Sequence, residues 1–360
     1  MTLRSRLALS GMAAVVLAAP GAAQAATKTV SMGPPPDTAK TLQRTYSSDA
    51  NAFFPSSIAI RVGDSVRFVP VGFHTAHFPG SSGRPSAPFI PTGKTIAGVN
   101  DEAGAPFWFN GQPEIGANPK VFGPGGKLGK TVVTNGTKEI QSGAPLSNKP
   151  KPMVVRFTKA GLFNYVCDIH PGMKGSVRVA ARSKRVPSAA SDARRVKLQA
   201  SKAIAVAKTF KNVDAPANTV NVGLAGRGGV SLLAFSPSKL TVPVGSTLTF
   251  RMNTGDFETH TATSGPGDPE KQPTSYLGKL VASLESPNPD QKAIFPSDMP
   301  PAPAAFTSAL HGNGFWNSGA LDSASVTPLP MRNQVRFAGA GTYKFYCLIH
   351  PFMQATITAQ

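Results

Sequence analysis

Cysteine, histidine and acidic residues are all scarce in this chain. Its 360 residues include two cysteines and six histidines, and 18 acidic residues stand against 37 lysines and arginines. Two cysteines exclude a disulfide-rich scaffold, since they allow a single bridge at most. The formal charge of +19 favours anionic partners such as acidic proteins, envelope polymers or membrane surfaces, although it equally serves solubility.

Long apolar stretches are scarce too, and the one present lies near the N-terminus. Residues 7–17 are largely apolar, follow Arg4 and Arg6, and precede the small-residue sequence Ala-Gln-Ala at 23–25. This pattern predicts a secretory signal peptide over residues 1–25, cleaved near Ala25-Ala26. An uncleaved anchor is the alternative, but a spanning helix needs about 20 apolar residues. Without paired arginines or a lipobox cysteine, the leader indicates general secretion to the periplasm, cell envelope or exterior.

Both cysteines open the same motif, Cys-x2-His-x2-Met. A disulfide between them is the alternative interpretation, but a bridge would not require histidine and methionine at identical offsets. A thiolate, an imidazole and a thioether together form a soft donor set that favours copper over magnesium, calcium or manganese. The members are Cys167, His170 and Met173 in the first motif and Cys347, His350 and Met353 in the second.

Repetition extends beyond these motifs, because five blocks recur in the same order along the chain. Such a shared order predicts a duplicated domain. The length fits two domains of about 150 residues each, which we place at 26–181 and 215–360, with a linker at 182–214. The matching blocks are TVSMG at 29–33 with TVNVG at 219–223, FFPSSIAIRVGDSVRF at 53–68 with FSPSKLTVPVGSTLTF at 235–250, HTA at 74–76 with 260–262, VRFTKAG at 155–161 with VRFAGAG at 335–341, and the two cysteine motifs.

Within the blocks, apolar residues alternate with other residues, as at Ile58, Ile60 and Val62. A period of two, together with 35 glycines and 34 prolines, predicts short strands separated by turns in an antiparallel sandwich or barrel. Long insertions are expected at about 79–150 and 264–330. They share an aromatic sequence, FWFNG at 107–111 and FWNSG at 315–319, for which we expect a strand that runs into a turn, with the tryptophan in the core.

The segment that joins the copies is strongly basic. Residues 181–212 hold nine lysines or arginines against one acid, Asp192. Ser191 is a candidate N-cap for a helix that carries apolar residues on one face. We expect a basic helical linker packed on one domain, with a docking surface for an acidic partner as the alternative. The apolar positions are Val196, Ala200, Ile204 and Ala207.

A trigonal copper site with two histidines, one cysteine and a weak axial methionine needs one more histidine in each copy. His74 and His260 occupy equivalent positions in the repeat, each a few residues after the strand expected to end near Phe68 or Phe250. They are therefore the expected remaining ligands.

The order of strand, His-Thr-Ala, long loop, Val-x-Phe, aromatic strand and Cys-x2-His-x2-Met resembles the cupredoxins, the blue copper proteins of the plastocyanin and azurin group. The short gap between His350 and Met353 is similar to the amicyanin loop. The resemblance implies an all-β fold of two tandem Greek-key β-sandwiches joined by a basic helical linker, each with one type 1 copper ion. The ligand sets that it implies are His74, Cys167, His170 and Met173, and His260, Cys347, His350 and Met353.

The same resemblance implies details around the ligands. Thr75 and Thr261, which follow the first histidines, are expected to form hydrogen bonds that tie the ligand loops together. His170 and His350 are expected to present a ring edge to solvent through an apolar patch that includes Phe352. That edge would be the port for electrons.

The leading functional hypothesis is a non-enzymatic electron carrier with two blue copper sites. Its expected partner is a redox protein, acidic ones included. Nucleic acid, stable membrane insertion and a small-molecule substrate are not expected. Copper storage, delivery or resistance uses the same ligands and is the alternative. A copper oxidase or nitrite reductase is less favoured, because such enzymes need further histidines and only His77 and His311 are left, which we expect to be ordinary polar residues.

Overall fold

The structure is a computed structural model that describes residues 25–81, 83–323 and 329–360. The predicted signal peptide, apart from its last residue, lies outside these residues. Among the described residues, no helix combines the length and apolar character needed to cross a bilayer.

The first half of the described chain is built from short strands interrupted by two helices. Alternating burial follows the sequence pattern, with Ile58 and Ile60 inside and their neighbours partly exposed. Gly63 has a φ of +92° in the turn between two of these strands, a conformation that favours glycine. The elements are β1 (Thr27–Met32), α1 (Pro36–Tyr46), β2 (Ser48–Ala50), β3 (Phe53–Phe54), β4 (Ser57–Arg61), β5 (Ser65–Pro70), β6 (His77–Phe78), β7 (Phe89–Thr95), β8 (Pro113–Ala117), α2 (Pro119–Phe122), β9 (Thr131–Thr134), β10 (Ile140–Gln141), β11 (Met153–Phe157), β12 (Gly161–Val166) and β13 (Lys174–Ala180).

Two five-stranded sheets form the first sandwich, with strand orders β3-β1-β5-β11-β9 and β10-β6-β12-β13-β4. Aromatic and aliphatic side chains from both sheets, with Phe68 and Tyr165 among them, fill the core between them. The sheets are mixed, since β1 pairs with β5 and β4 with β13 in parallel. The expected antiparallel pairing is correct for strands such as β12 with β13 and wrong for these two pairs, because the chain crosses between sheets and returns in the same direction.

The linker contains one long helix, α3 (Ala189–Ala207), followed by a short 3-10 turn at Phe210–Asn212. Ser188 caps the helix by accepting a hydrogen bond from the backbone N–H of Ser191, so the cap precedes the predicted one by three residues. The helix packs on both halves rather than on one domain, since its buried alanines share a cluster with Phe54 and Leu224. Its one acid, Asp192, is buried and lies 2.6 Å from the Nζ of Lys28.

The second half forms another sandwich, with strand orders β2-β15-β14-β17-β23-β20 and β16-β25-β24-β19-β21. Strand β2 comes from the first half, so the two sandwiches share a hydrogen-bonded edge. Two further pairs, β7 with β8 and β18 with β22, stand outside the main sheets. The elements are β14 (Thr219–Gly226), β15 (Val230–Ser236), β16 (Lys239–Val242), β17 (Thr247–Arg251), β18 (Thr259–His260), β19 (Thr263–Ser264), α4 (Tyr276–Ser283), α5 (Gln291–Ile294), β20 (Ala304–Phe306), a 3-10 turn at Leu310–Gly312, β21 (Trp316–Asn317), β22 (Leu321–Asp322), β23 (Arg332–Phe337), β24 (Gly341–Tyr346) and β25 (Gln354–Ala359).

The predicted β fold, with two β-sandwiches joined by a helical linker, is therefore confirmed. Matching blocks of sequence occupy matching strands, such as β1 and β14, β5 and β17, or β12 and β24. The domain boundaries themselves stay a prediction.

The two long insertions pack against each other in a separate apolar cluster, which includes Phe109 and Leu277. Trp108 donates its indole N–H to the carbonyl oxygen of Pro296 across this contact, at 2.8 Å. Trp316 lies instead in the core of the second sandwich. The expectation of a strand at the aromatic sequence is correct for residues 316–317 and wrong for 107–109, which run through a loop into a turn.

The structural equivalent of FWNSG in the first half is EIQSG at 139–143. Ser142 Oγ accepts a hydrogen bond from the backbone N–H of Ala76 at 2.9 Å, and Ser318 Oγ accepts one from that of Ala262 at 2.8 Å. The two aromatic sequences are therefore similar without being structurally equivalent, because the Phe-Trp-Phe sequence of the first half lies at the contact between the insertions.

Candidate metal centres

In the first sandwich, three donor atoms from separate parts of the chain converge. His74 lies in the loop between β5 and β6, Cys167 follows β12, and His170 lies in the loop before β13. The Nδ1 atoms of the two histidines are 3.0 Å apart, and the Cys167 Sγ is 3.6 Å from the Nδ1 of His170. All three donors lie within 4.8 Å of one another.

The second sandwich repeats this arrangement. The Nδ1 atoms of His260 and His350 are 3.2 Å apart. The Cys347 Sγ lies 3.7 Å from the first of these atoms and 3.8 Å from the second. His260 belongs to the short strand β18, whereas its counterpart His74 lies in a loop. Both predicted His-Cys-His sets are thus brought together.

The two cysteine loops are closed by the same backbone hydrogen bonds between the cysteine, the histidine and the methionine. In the first loop the backbone N–H of Cys167 donates to the carbonyl oxygen of Met173, and the N–H of Met173 donates to that of His170. Cys347 and Met353 repeat this pattern. Both methionine side chains are buried in the core clusters that contain the cysteines, and their role as axial ligands stays a prediction.

The expected hydrogen bonds from the threonines are confirmed. Thr75 Oγ1 accepts from the backbone N–H of Asp168 at 2.9 Å, and Thr261 Oγ1 accepts from that of Leu348 at 2.8 Å. Each threonine follows the first histidine, and each donor follows the cysteine. The bond therefore fixes the spacing between the two loops that supply the donor atoms.

Glycine is required at Gly33, directly after β1, and at Gly223, within β14, because both positions lie beside the first histidines. A Cβ on Gly223 would lie 2.8 Å from the Nε2 of His260, and one on Gly33 would lie 2.1 Å from the carbonyl oxygen of Val71 and 3.0 Å from the Cδ2 of His74. The repeated glycine of the TVSMG and TVNVG blocks thus leaves room for the histidine rings.

The histidines around each cysteine favour its thiolate form. Burial alone would raise the pKa of Cys167, but hydrogen bonds and charge from His170 and His74 outweigh burial and hold that pKa well below its usual range. The pKa of Cys347 is lowered in the same way, with His260 and His350 outweighing burial. Both thiols are free, so no disulfide joins them. Since the thiolate is the metal-binding form, both clusters are suited to a cation.

The donor set fits copper. Two imidazoles and one thiol lie within 4.8 Å of one another in each sandwich, and with the expected methionine they match a trigonal copper site with a weak axial ligand. Structural zinc sites use cysteine, histidine and carboxylate rather than thioether. The two His-Cys-His groups are compatible with two metal sites.

The two histidines left over are held by carboxylates. His77 Nδ1 lies 2.8 Å from Asp168 and its Nε2 lies 3.1 Å from Glu139. His311 Nδ1 lies 3.0 Å from Asp101, a residue of the first insertion. Both side chains belong to polar networks, and neither is part of a His-Cys-His group.

The expectation that a ring edge faces solvent is wrong for His170, whose side chain is 9% exposed, whereas the side chain of His350 is 19% exposed. The Nε2 atoms of His170 and His350 point instead towards one carboxylate, Glu258, at 3.3 and 3.7 Å. His170 is buried, and a Cβ on Gly172 in its loop would lie 2.3 Å from the ring of Phe257. The reason is that the second sandwich covers the face where the port was expected.

Glu258 is the residue that sequence comparison missed. Burial would raise its pKa, but the charges of His170, His350 and His260 and a hydrogen bond with His170 outweigh burial and hold the pKa well below its usual range. One signal was present in the sequence. An acid stands two residues before His260, whereas glycine, Gly72, stands two residues before His74.

No protein-family model and no curated protein matches the sequence. Solved structures similar to the chain include cupredoxins. The purple cupredoxin from Nitrosopumilus maritimus is 16% identical, over 39% of this chain and 98% of its own, with a TM-score of 0.20. Oxidised plastocyanin from Dryopteris crassirhizoma is 19% identical over 39% and 99%, with a TM-score of 0.20. Auracyanin B is 16% identical over 41% and 92%, with a TM-score of 0.24. The choice of metal depends on this chain's own donor atoms.

Proposed function

We propose that this chain is an exported electron-transfer protein with two mononuclear type 1 copper sites that cycle between Cu(I) and Cu(II). The observation that carries the proposal is the convergence, in each sandwich, of two imidazole Nδ1 atoms and a thiolate within 4.8 Å. The proposed ligands of one ion are His74, Cys167, His170 and Met173. Those of the other are His260, Cys347, His350 and Met353.

Bound copper would supply the one-electron redox change, and the protein's part is to hold the donors still. The threonine hydrogen bonds and the closed cysteine loops fix the donor positions before and after the change. Cys167 and Cys347 are at most 1% exposed, and this burial keeps water from the thiolates. A site that rearranges little between the two oxidation states transfers electrons quickly.

The proposal makes the protein a carrier rather than an enzyme. Oxygen or nitrite chemistry would need a further histidine-rich centre, and His77 and His311 are engaged by carboxylates in separate places. Its expected partner is another redox protein outside the cytoplasm, and the net charge of +19 favours an acidic one.

Copper loading tests the proposal. Purified protein should bind two Cu(II) ions and show an intense thiolate-to-copper band in the visible spectrum. Cys167→Ser and Cys347→Ser should each remove one ion's share of that band, whereas the control His311→Gln should leave both. A colourless loaded protein would contradict the proposal. Rapid release of Cu(I) to a chelator, without stable redox cycling, would favour copper delivery instead.

A further inference from the structure

Glu258 lies buried where the two candidate copper sites face each other. One of its oxygens, Oε2, is at ion-pair distance from histidines of both sites, 3.3 Å from the Nε2 of His170 and 3.7 Å from that of His350. The other, Oε1, accepts a hydrogen bond from the side-chain amide of Asn51 at 2.9 Å. Glu258 as a whole residue is 5% exposed. A single side chain of the second half therefore touches both halves of the molecule.

The ring orientations make this contact a link between the sites. His170 and His350 turn their Nδ1 atoms towards the thiolates of their own sandwiches. Each imidazole therefore reaches from a donor position at one edge to Glu258 at the other. Two imidazoles and one carboxylate form a short, continuous path from one site to the other.

We propose that Glu258 couples the two copper sites, so that they share one local negative charge and exchange electrons within the chain. This inference rests on the proposed copper function. In the exchange, Cu(I) in one site loses one electron and Cu(II) in the other gains it, so that no proton and no further reactant is needed. The two sites then communicate within the chain rather than acting as two independent carriers.

Charge gives the coupling a definite sign. A carboxylate stabilises the more highly charged oxidised ion, and it does so strongly where burial excludes water. Glu258 therefore lowers the reduction potentials of both sites. Reduction of either site also removes a positive charge beside the shared carboxylate, so that the second electron is harder to add than the first.

The surroundings of the two histidines give the exchange a direction. Phe257 covers the loop of His170, whereas the loop of His350 carries the exposed side chains of Ile349 and Phe352. An external partner can approach the second site more closely than the first. Electrons then enter at His350 and reach the first site through Glu258.

Glu258→Gln and Glu258→Leu test the proposal. The first removes the charge at nearly constant shape, and the second also removes the polar path. Asp101→Asn is the matched control, because it removes a partly buried acid that pairs with a histidine across the two halves yet touches no proposed ligand. Met353→Leu is introduced into every protein, because a changed axial ligand separates the colours and potentials of the two sites.

Both reduction potentials should rise in both Glu258 variants and stay unchanged in the control. After a pulse that adds less than one electron per chain, the control should show a redistribution phase whose rate does not depend on protein concentration. That phase should slow in Glu258→Gln and slow further in Glu258→Leu. A rise at one site only, or unchanged redistribution in proteins that retain both blue bands, would overturn the proposal.

A metal-free measurement separates this inference from the copper function. In copper-free protein labelled with 15N-histidine, the Nε2 signals of both His170 and His350 should move on Glu258→Gln, and neither should move in the control. Movement of both signals with no copper binding would defeat the proposed function alone. Two blue sites with neither signal moved would defeat the shared contact alone.

Discussion

The two candidate copper sites have the same donor atoms and different surroundings. The first has polar neighbours, with His77 and Asp168 behind the ligand loop, and the second sandwich covers its loop histidine. The second has Leu348 in place of Asp168 and Phe352, which is 51% exposed, in place of Gly172. The donor spacing fixes what a site can bind, whereas the packing around it decides which partner can reach it. One of these sites is internal and the other lies close to the surface.

Substitutions at the equivalent loop positions 172 and 352 test this difference in packing. They give the largest expected effect on the free energy of unfolding. Gly172→Phe places a side chain where Phe257 packs, at a position whose φ is +114°. We expect a loss of about 3 kcal/mol in the free energy of unfolding, at the upper end of overpacking costs. Phe352→Ala, at the equivalent position, should change stability by about 0.5 kcal/mol or less. Urea denaturation measures both. Equal losses would contradict the difference in packing.

The threonines allow a matched comparison of the two sites. Thr75→Val and Thr261→Val each leave one backbone N–H of the ligand loop without its acceptor, so each should cost about 1–2 kcal/mol. Thr75 Oγ1 also lies 3.8 Å from the Cys167 sulfur, whereas Thr261 Oγ1 accepts a hydrogen bond from Thr263.

The spectra of the two valine variants should therefore differ while their stabilities agree. Thr75→Val should shift the thiolate band of its site more than Thr261→Val shifts the band of the other. Denaturation and visible spectra of the loaded proteins measure the two effects. A larger band shift in Thr261→Val would contradict the contact of Thr75, rather than Thr261, with its cysteine sulfur.

His311 gives the smallest effect, which depends on pH. Burial would lower its pKa, but Asp298 and Asp101 outweigh burial and raise it. Protonated His311, paired with these two aspartates, therefore stabilises the fold fully below the unfolded pKa of about 6.5. This stabilisation is lost as pH rises through the folded pKa. After allowance for solvent screening, we expect less than about 1 kcal/mol. The stability difference between wild type and His311→Gln should be larger at low pH than at high pH, and the opposite order would exclude this ion pair.

The sequence was sufficient to predict which histidines and cysteines come together, because these residues recur at short, repeated spacings. His74 and His260 were found from their positions in the repeat, and Thr75 and Thr261 from their place beside them. The same blocks predicted the strands, since period-two alternation reports burial directly.

The features that could not be predicted from the sequence depend on contacts between the two halves of the chain. Asn51 and Glu258 lie 207 residues apart, and no local pattern brings them together. The insertion of Phe257 over Gly172 and the addition of β2 to the second sandwich are of the same kind. Each of these contacts changes the surroundings of a site without changing its donor atoms. Sequence motifs therefore do not reveal them.

The most direct test is a crystal structure of copper-loaded protein with anomalous scattering measured at the copper edge. Two strong peaks are predicted, one between the Nδ1 atoms of His74 and His170 and the Cys167 sulfur, the other at the matching point in the second sandwich. Glu258 should lie between the two sites without binding a metal. A single peak beside Glu258, shared by His170 and His350, would contradict the account.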